Sequence, residues 1–240
     1  MKKSLYAFAL AGALAPLPAT AGAGDIVVRL RATHVSPDVG SSLGRTTNGS
    51  YGIPNLAQLV YGSNDAQLKV DSNLIPELDL SYYLTDHIAA ELIVALGSGH
   101  AVSVSGTGGV LNRRELGDVN LLPPTLTFQW HFTPDKTIDP YLGVGVTMVH
   151  TLDNTLAADT AVGSLPIHVE RSAWGPAFQF GVDMNLTNRW LVNFDVKKAL
   201  FSHDVTLDTM GAAGLPAGTT KIDSLDIDPW IISFGIGKKF

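Results

Sequence analysis

The final sixteen residues alternate between apolar and small or polar side chains, up to a terminal phenylalanine. One parity carries Trp230, Ile232, Phe234, Ile236 and Phe240, and the other parity, from Ser233 on, is Ser233, Gly235, Gly237 and Lys239. An apolar outer face, a small or polar inner face and a closing aromatic are typical of the last strand of an outer-membrane β-barrel. This pattern predicts that the chain folds in a lipid bilayer.

The first residues predict export. Met1–Lys3 is a charged segment, Ser4–Leu14 is a short apolar segment, and Ala19–Ala21 is a small-residue cleavage site. The apolar run is too short to span a bilayer as a helix, which needs about 20 residues. We therefore expect a cleaved secretory signal over 1–21, with cleavage after Ala23 as the alternative, and a single barrel domain over 22–240.

Composition excludes several classes of protein. The chain has no cysteine, which excludes disulfides, thiol nucleophiles and zinc–thiolate or iron–sulfur sites. Beyond the signal, no run approaches 18 consecutive apolar residues, so a helical membrane protein is excluded. Without the two lysines of the signal, 14 bases face 22 acids and the net charge is −8. An acidic chain without a basic block is a poor nucleic-acid binder.

Period-two alternation recurs in eight segments, each near the length that a tilted strand needs to cross a bilayer. They are about 25–35, 67–84, 87–97, 121–133, 139–151, 173–187, 189–200 and the terminal strand. Short connections alternate with long ones at about 36–66, 98–120, 152–172 and 201–225. The sequence predicts an all-β fold: an eight-stranded antiparallel transmembrane β-barrel with short periplasmic turns, long extracellular loops and both termini in the periplasm of a bacterial outer membrane.

A soluble β-sandwich is the alternative, because alternation alone does not say which face is wet. Connections of a sandwich would not alternate so regularly between long and short. Aromatic residues also lie near the predicted strand ends, as they do in the girdles of membrane barrels. These are Tyr82, Tyr83, Trp130, Tyr141, Trp174, Trp190 and Trp230.

Several stretches resemble the OmpW family of small outer-membrane proteins. They are 23–29, Tyr82–Leu92, Leu122–Phe132, Pro140–Gly145, Ser172–Ala177, Gly181–Asp183 and Asp228–Trp230, followed by the terminal Phe240. The resemblance implies an eight-stranded barrel and a role in the passage of small, mainly hydrophobic molecules across the outer membrane. We expect the terminal strand, with Phe240 as its assembly signal, to contact the barrel-assembly machinery, and the barrel to contact outer-membrane lipid and lipopolysaccharide.

The predicted inner face carries eight charged residues: Arg29, Arg31, Glu77, Asp79, Glu91, Asp183, Asp195 and Lys197. Charges inside a membrane barrel are costly unless they are paired, so we expect a network across the lumen. The functional interpretation is a path for ions or protons. The structural interpretation, a polar core that blocks the lumen, is favoured because eight strands leave little room.

A blocked lumen predicts that an apolar solute enters a funnel built by the long loops and escapes sideways into lipid. The candidate funnel residues are Leu56, Leu59, Val60, Tyr61, Val110, Leu111, Leu165 and Ile167. Prolines near strand ends lack the N–H that a strand ladder needs and are candidates for a local gap: Pro76, Pro123, Pro124, Pro166 and Pro176. Packing of the loops against one another uses the same residue types and is the alternative.

The sequence contains only weak motifs for catalysis or for binding a metal or cofactor. His100 with Ser98 or Ser103 is a conceivable nucleophile–base pair, but the sequence fixes no orienting acid beside it. The seven histidines lack metal-ligand spacing, so the sequence predicts no enzyme, metal site or cofactor. Two functional classes follow: a passive transporter of small hydrophobic molecules, or a structural or surface-interaction protein whose loops bind lipopolysaccharide, host factors or phage.

Overall fold

The computed structural model describes residues 22–95, 97–105, 114–134, 136–154, 156–160, 163–209, 211 and 217–240. In chain order these residues form β1 (Ile26–Ser36), α1 (Leu43–Tyr51), α2 (Leu56–Tyr61), β2 (Leu68–Val70), β3 (Asn73–Tyr83), β4 (Ile88–Ala95), β5 (Ser98–Val104), β6 (Glu115–Leu122), β7 (Thr125–His131), β8 (Ile138–Asn154), β9 (Ala157–Thr160), β10 (Gly163–Val169), β11 (Ser172–Asn185), β12 (Trp190–Ala199), β13 (Ser202–Asp208), β14 (Thr219–Asp226) and β15 (Trp230–Lys239). In this part of the chain, no helix has the length and apolar character needed to cross a bilayer. The predicted signal, 1–21, lies outside the described residues.

Eight antiparallel strands close into a barrel in the order β1-β3-β4-β7-β8-β11-β12-β15. The first and last strands close the ring, with Thr33 opposite Ser233. Main-chain bonds continue the seam, because the Phe240 N–H donates to the Ile26 carbonyl at 2.7 Å. The predicted eight-stranded antiparallel barrel is confirmed.

The two ends of the barrel differ. At the turn end, short segments at 84–87, 132–137 and 186–189 join successive strands. At the loop end, the connections at 37–72, 96–124, 155–171 and 200–229 are long. This alternation is the one that the sequence predicts.

Along each barrel strand, side chains alternate between the outer face and the lumen. Val144 and Phe234 are each 60% exposed on the outer face, whereas Thr127 and Gln129 are buried inside. An outward apolar band with a polar interior is the arrangement of a membrane barrel, the reverse of a soluble one. Two expectations are wrong: Tyr83 and Tyr141 are buried in the lumen and are not girdle residues, because each has the parity of its strand's inner face.

The long connections fold into a compact extension at the loop end, which we call the cap: α1, α2, β2, β5, β6, β9, β10, β13 and β14. The strands β6, β5 and β2 extend the barrel sheet from β8, and β14-β13-β10-β9 form a separate four-stranded sheet. The sequence interpretation of these segments as loops is therefore too coarse. Unlike the barrel, the cap buries its apolar face, with Val102, Val205 and Ile222 in one common core.

One buried carboxylate ties the start of the cap to its last strand. Asp223 on β14 accepts hydrogen bonds from the Ser41 hydroxyl, from the Ser42 main-chain N–H at 2.8 Å and from the Ser42 hydroxyl at 3.0 Å. These bonds fix the residues that precede α1. The helix itself is rich in Gly, Thr and Asn, which are poor helix formers, so tertiary contacts hold it in place.

Candidate functional site

The inner face of the barrel changes chemistry along its length. Towards the turn end it carries charged and amide side chains, and towards the loop end the same faces of the same strands carry apolar ones. Along β1, Arg29, Arg31 and Thr33 are followed by Val35, and along β8, Thr147 is followed by Val149. The strands therefore build two compartments in one lumen without a change of parity.

The compartment nearer the turn end holds the eight predicted charged residues, all of them buried. Arg31 is at their centre: its Nη1 lies 3.2 Å from Glu77, its Nε 3.0 Å from Asp79 and its Nη2 3.2 Å from Glu91. Arg29 contacts Glu91 at 3.3 Å and Asp183 at 2.5 Å.

Lys197 bridges Glu77 and Asp195, at 2.9 Å from each. The structure thus brings together all eight side chains in one connected network.

Uncharged donors extend this network, and sequence reasoning missed them. Three cations face five carboxylates, of which Glu91 and Asp195 also accept hydrogen bonds from amides and a phenol. Gln179 Nε2 donates to Glu91 and to Asp195, each at 2.8 Å, and the Tyr141 hydroxyl donates to Asp195 at 2.7 Å. Tyr141 fits because the facing Gly181 has no side chain. These residues could have been found from the sequence, because they occupy the inward-facing positions of their predicted strands.

The compartment nearer the loop end holds a cavity, which we call the lower cavity. Glu77 and Lys197 form its floor, so it rests directly on the charged network. Its walls are mainly apolar and include Val35, Ile75 and Val149.

Two further cavities continue into the cap. The middle cavity shares Val70, His100, Leu121 and Ile227 with the lower one. The upper cavity shares Leu68, Leu116 and Ile167 with the middle one. The shared walls place the three cavities next to one another, in a series from α1 and α2 to the charged floor.

The candidate funnel residues divide into three groups. Val60, Tyr61, Leu165 and Ile167 line the upper cavity. Leu56 is buried without lining any of the three cavities, and Leu59 is 61% exposed on α2 and points away from them. Val110 and Leu111 lie outside the described residues.

Tyr61 is the polar member of the upper cavity. Burial raises the pKa of its phenol to about 12, and the hydroxyl lies 3.4 Å from the Thr47 hydroxyl. The side chain is therefore neutral at physiological pH. It adds a ring and one hydroxyl, without charge, to an apolar wall.

Among the described residues, the pairing between neighbouring strands of the barrel wall is interrupted beside the lower cavity. The β4–β7 ladder ends at Ile93 opposite Thr125, and the β5–β6 ladder begins at Ser98 opposite Leu121. Pro123 and Pro124 lie in the gap and have no N–H to donate to the neighbouring strand. Ala95, Ser98 and Pro123 also line the lower cavity, so the cavity reaches the wall at this interruption.

The other predicted prolines lie at the ends of ladders. Pro76 is opposite Ala32 and Pro176 is opposite Val146, but the β3–β4 ladder stops at Glu77 and the β11–β12 ladder stops at Ala177. Pro166, opposite Ala157, is the last pair of the β10–β9 ladder. Each of these prolines therefore lies where pairing with one neighbouring strand ends, as suits a residue without an N–H.

Two polar clusters bear on chemistry. Ser98 Oγ lies 2.9 Å from His100 Nε2, and His100 Nδ1 lies 2.8 Å from the Asp71 carbonyl oxygen, so a main-chain group orients the ring. At the turn end, ligand atoms of His131, Asp139 and Asp183 lie within 4.8 Å of one another. Arg29 already pairs with Asp183 in that cluster.

The family model for the OmpW family matches residues 22–240. The chain belongs to the OmpW family. It is 37% identical over 182 residues to the uncharacterized outer-membrane protein y4mB of Sinorhizobium fredii, covering 75% of this chain and 72% of the relative.

A second relative, the dibenzothiophene metabolism operon protein PahQ of Pseudomonas aeruginosa, is 25% identical over 179 residues and 75% of each chain. Among solved structures, this OmpW-family chain is similar to the crystal structure of the outer membrane protein OprG of Pseudomonas aeruginosa. The TM-score is 0.75 at 27% identity, covering 91% of this chain and 97% of OprG. The OmpW-family barrel is thus an outer-membrane protein.

Proposed function

We propose that this protein is a passive entry route for small hydrophobic molecules across the outer membrane. In this proposal the loop end faces the outside of the cell and both termini lie in the periplasm. A solute binds in the upper and middle cavities of the cap and moves to the lower cavity. It then leaves sideways through the barrel wall into the lipid.

The observation that carries the proposal is the switch of the inner face from apolar to charged. An apolar molecule can replace its contacts with water by contacts with Val, Ile and Leu in the upper part of the lumen. It gains nothing by entering the network of Arg31, Glu77 and Lys197, whose ion pairs it would have to separate. The charged floor therefore favours a sideways exit over passage along the barrel axis.

The interruption at Pro123 and Pro124 supports the position of the exit. Where the ladder is interrupted, the two neighbouring strands can move apart without breaking hydrogen bonds between them. The lower cavity adjoins this interruption through Ala95 and Ser98. The relative PahQ supports the solute class, since its name refers to an operon for the metabolism of dibenzothiophene, a small apolar aromatic.

An uptake experiment tests the proposal. Cells that lack the protein are compared with cells that express the parent chain, Leu121→Asp or Leu59→Asp, and entry of naphthalene is measured. Leu121 lines both the lower and middle cavities, so a carboxylate there should reduce entry several-fold by making the path polar. Leu59 is an exposed cap residue, and its variant should match the parent.

Folding of each variant is checked by its mobility in a gel before and after heating. Equal naphthalene entry with the parent and with no protein would contradict transport. That result would favour the second class, a structural or surface-interaction protein whose cap contacts lipopolysaccharide, host factors or phage.

We also propose that the terminal strand with Phe240 contacts the barrel-assembly machinery.

A further inference from the structure

A buried histidine in the cap has unused hydrogen-bonding groups. His203 on β13 is 1% exposed, and in the part of the chain that the structure describes neither ring nitrogen has a hydrogen-bond partner. Its ring packs edge-on against Phe201, with the centroids 5.7 Å apart. Leaving a buried polar group unpaired costs free energy, so such a residue calls for a reason.

His203 lines the middle cavity, whose other lining residues are Val, Leu and Ile except for His100. His100 is already satisfied, because one of its ring nitrogens contacts Ser98 Oγ and the other contacts the Asp71 carbonyl oxygen. Among the described lining residues, the open hydrogen-bonding capacity of this cavity therefore belongs to His203.

The ring of His203 is neutral at physiological pH. Burial lowers its pKa below the ordinary value for histidine, and the carboxylate of Glu170 offsets part of that effect. A neutral imidazole offers one N–H donor and one acceptor nitrogen. Such a group suits an uncharged polar atom and does not select for an anion.

We propose that His203 recognises the polar group of a small amphipathic solute: an apolar molecule that carries one hydroxyl or carbonyl group. The apolar wall takes the hydrocarbon part, and one ring nitrogen of His203 takes the oxygen. The inference deepens the proposed function, on which it rests, because it names the class of solute that the middle cavity prefers. It gives the cavity a preference that an all-aliphatic lining would not have.

Direct binding is tested with the full-length parent protein in lipid bilayers, labelled with ¹⁵N in its histidine rings. The probes are 1-naphthol and naphthalene, which differ by one hydroxyl. The His203 ring nitrogens should shift with 1-naphthol and stay unshifted with naphthalene. No shift with 1-naphthol, or equal shifts with both probes, would overturn the proposal and leave His203 as a packing residue.

Uptake by cells gives the second test. His203→Phe keeps an aromatic ring but removes both nitrogens, and His168→Phe changes an exposed histidine on the neighbouring β10 as the control. The entry of 1-naphthol relative to naphthalene should fall roughly fivefold in His203→Phe, the factor that one ordinary net hydrogen bond supplies. The ratio should not change in His168→Phe, and an unchanged ratio in a folded His203→Phe would contradict the proposal.

The two proposals fail differently. If the parent admits neither probe beyond cells without the protein, transport fails, while the ring shifts still report whether His203 binds the hydroxyl. If naphthalene enters and the ratio is insensitive to His203→Phe, transport stands and recognition by His203 fails.

Discussion

At the scale of single residues, the lumen is organised around Arg31. Its guanidinium contacts three carboxylates on two neighbouring strands, Glu77 and Asp79 on β3 and Glu91 on β4. All of these side chains are out of contact with water. A buried ion pair adds little net stability over an apolar pair, but removing one partner leaves the others uncompensated.

Replacing Arg31 with alanine should therefore destabilise the barrel by about 3–5 kcal/mol, because the neighbouring carboxylates keep their charge and lose their counter-ion. The free energy of unfolding is measured by urea denaturation in lipid vesicles. Arg45→Ala, at an exposed position of α1, should unfold like the parent. An Arg31→Ala barrel as stable as the parent would mean that the network is not held by its charge pairs.

The charged inner residues were predictable, because a charged side chain in a membrane strand must face the lumen when the alternate residues of that strand face lipid. Tyr83 and Tyr141 were not assigned correctly from sequence, because an aromatic near a strand end suits a girdle as well as a lumen. Parity with Ser81 and Gly143 would have placed them inside. The sequence could not single out His203, because only the folded structure shows whether the ring nitrogens of a buried histidine have hydrogen-bond partners.

At the scale of elements, each barrel strand continues the same inner parity from a polar to an apolar compartment. The strongest example is β8, whose 17 residues pair with β7 and β11 in the barrel and with β6 in the cap. The barrel strands were predictable from period two. The cap strands were not predicted, because polar residues at their outer positions give these segments the composition of loops. The alternation was nevertheless present in β13, where His203, Val205 and Leu207 share a buried face.

The interruption between the β4–β7 and β5–β6 ladders predicts a second uptake result. Replacing Pro123 and Pro124 together with alanine restores two N–H donors, which allows the ladder to continue and narrows the wall opening. Entry of naphthalene should fall several-fold. Pro140→Ala, at a paired position of β8 at the turn end and outside the lining of the three cavities, serves as the control and should not change entry. Equal uptake by all of these variants would place the exit elsewhere.

At the scale of the whole molecule, an apolar band surrounds a polar interior and a cap of the opposite arrangement lies on it. Phe128, at the middle of β7, is 53% exposed on the band, and Leu59 is similarly exposed on the cap. The two side chains differ in the solvent that they face: hydrocarbon for Phe128 and water for Leu59.

Arginine at these two positions should thus have different costs. Phe128→Arg should destabilise the protein by about 2–4 kcal/mol in lipid vesicles, the cost of a cation at mid-bilayer depth in a barrel. Leu59→Arg should lie within about 0.5 kcal/mol of the parent, as exposed substitutions usually do. Unfolding in urea measures both, and equal effects would contradict the position of the band.

The seam between β1 and β15 joins residues far apart in the chain, since the hydroxyls of Thr33 and Ser233 bond at 2.9 Å across 200 positions. The cylinder therefore cannot form progressively from one terminus during synthesis. Until the final strand arrives, β1 has an open edge that can pair with other chains. Contacts of such high sequence separation make folding slow. Escort by chaperones before insertion would shield that edge during the delay.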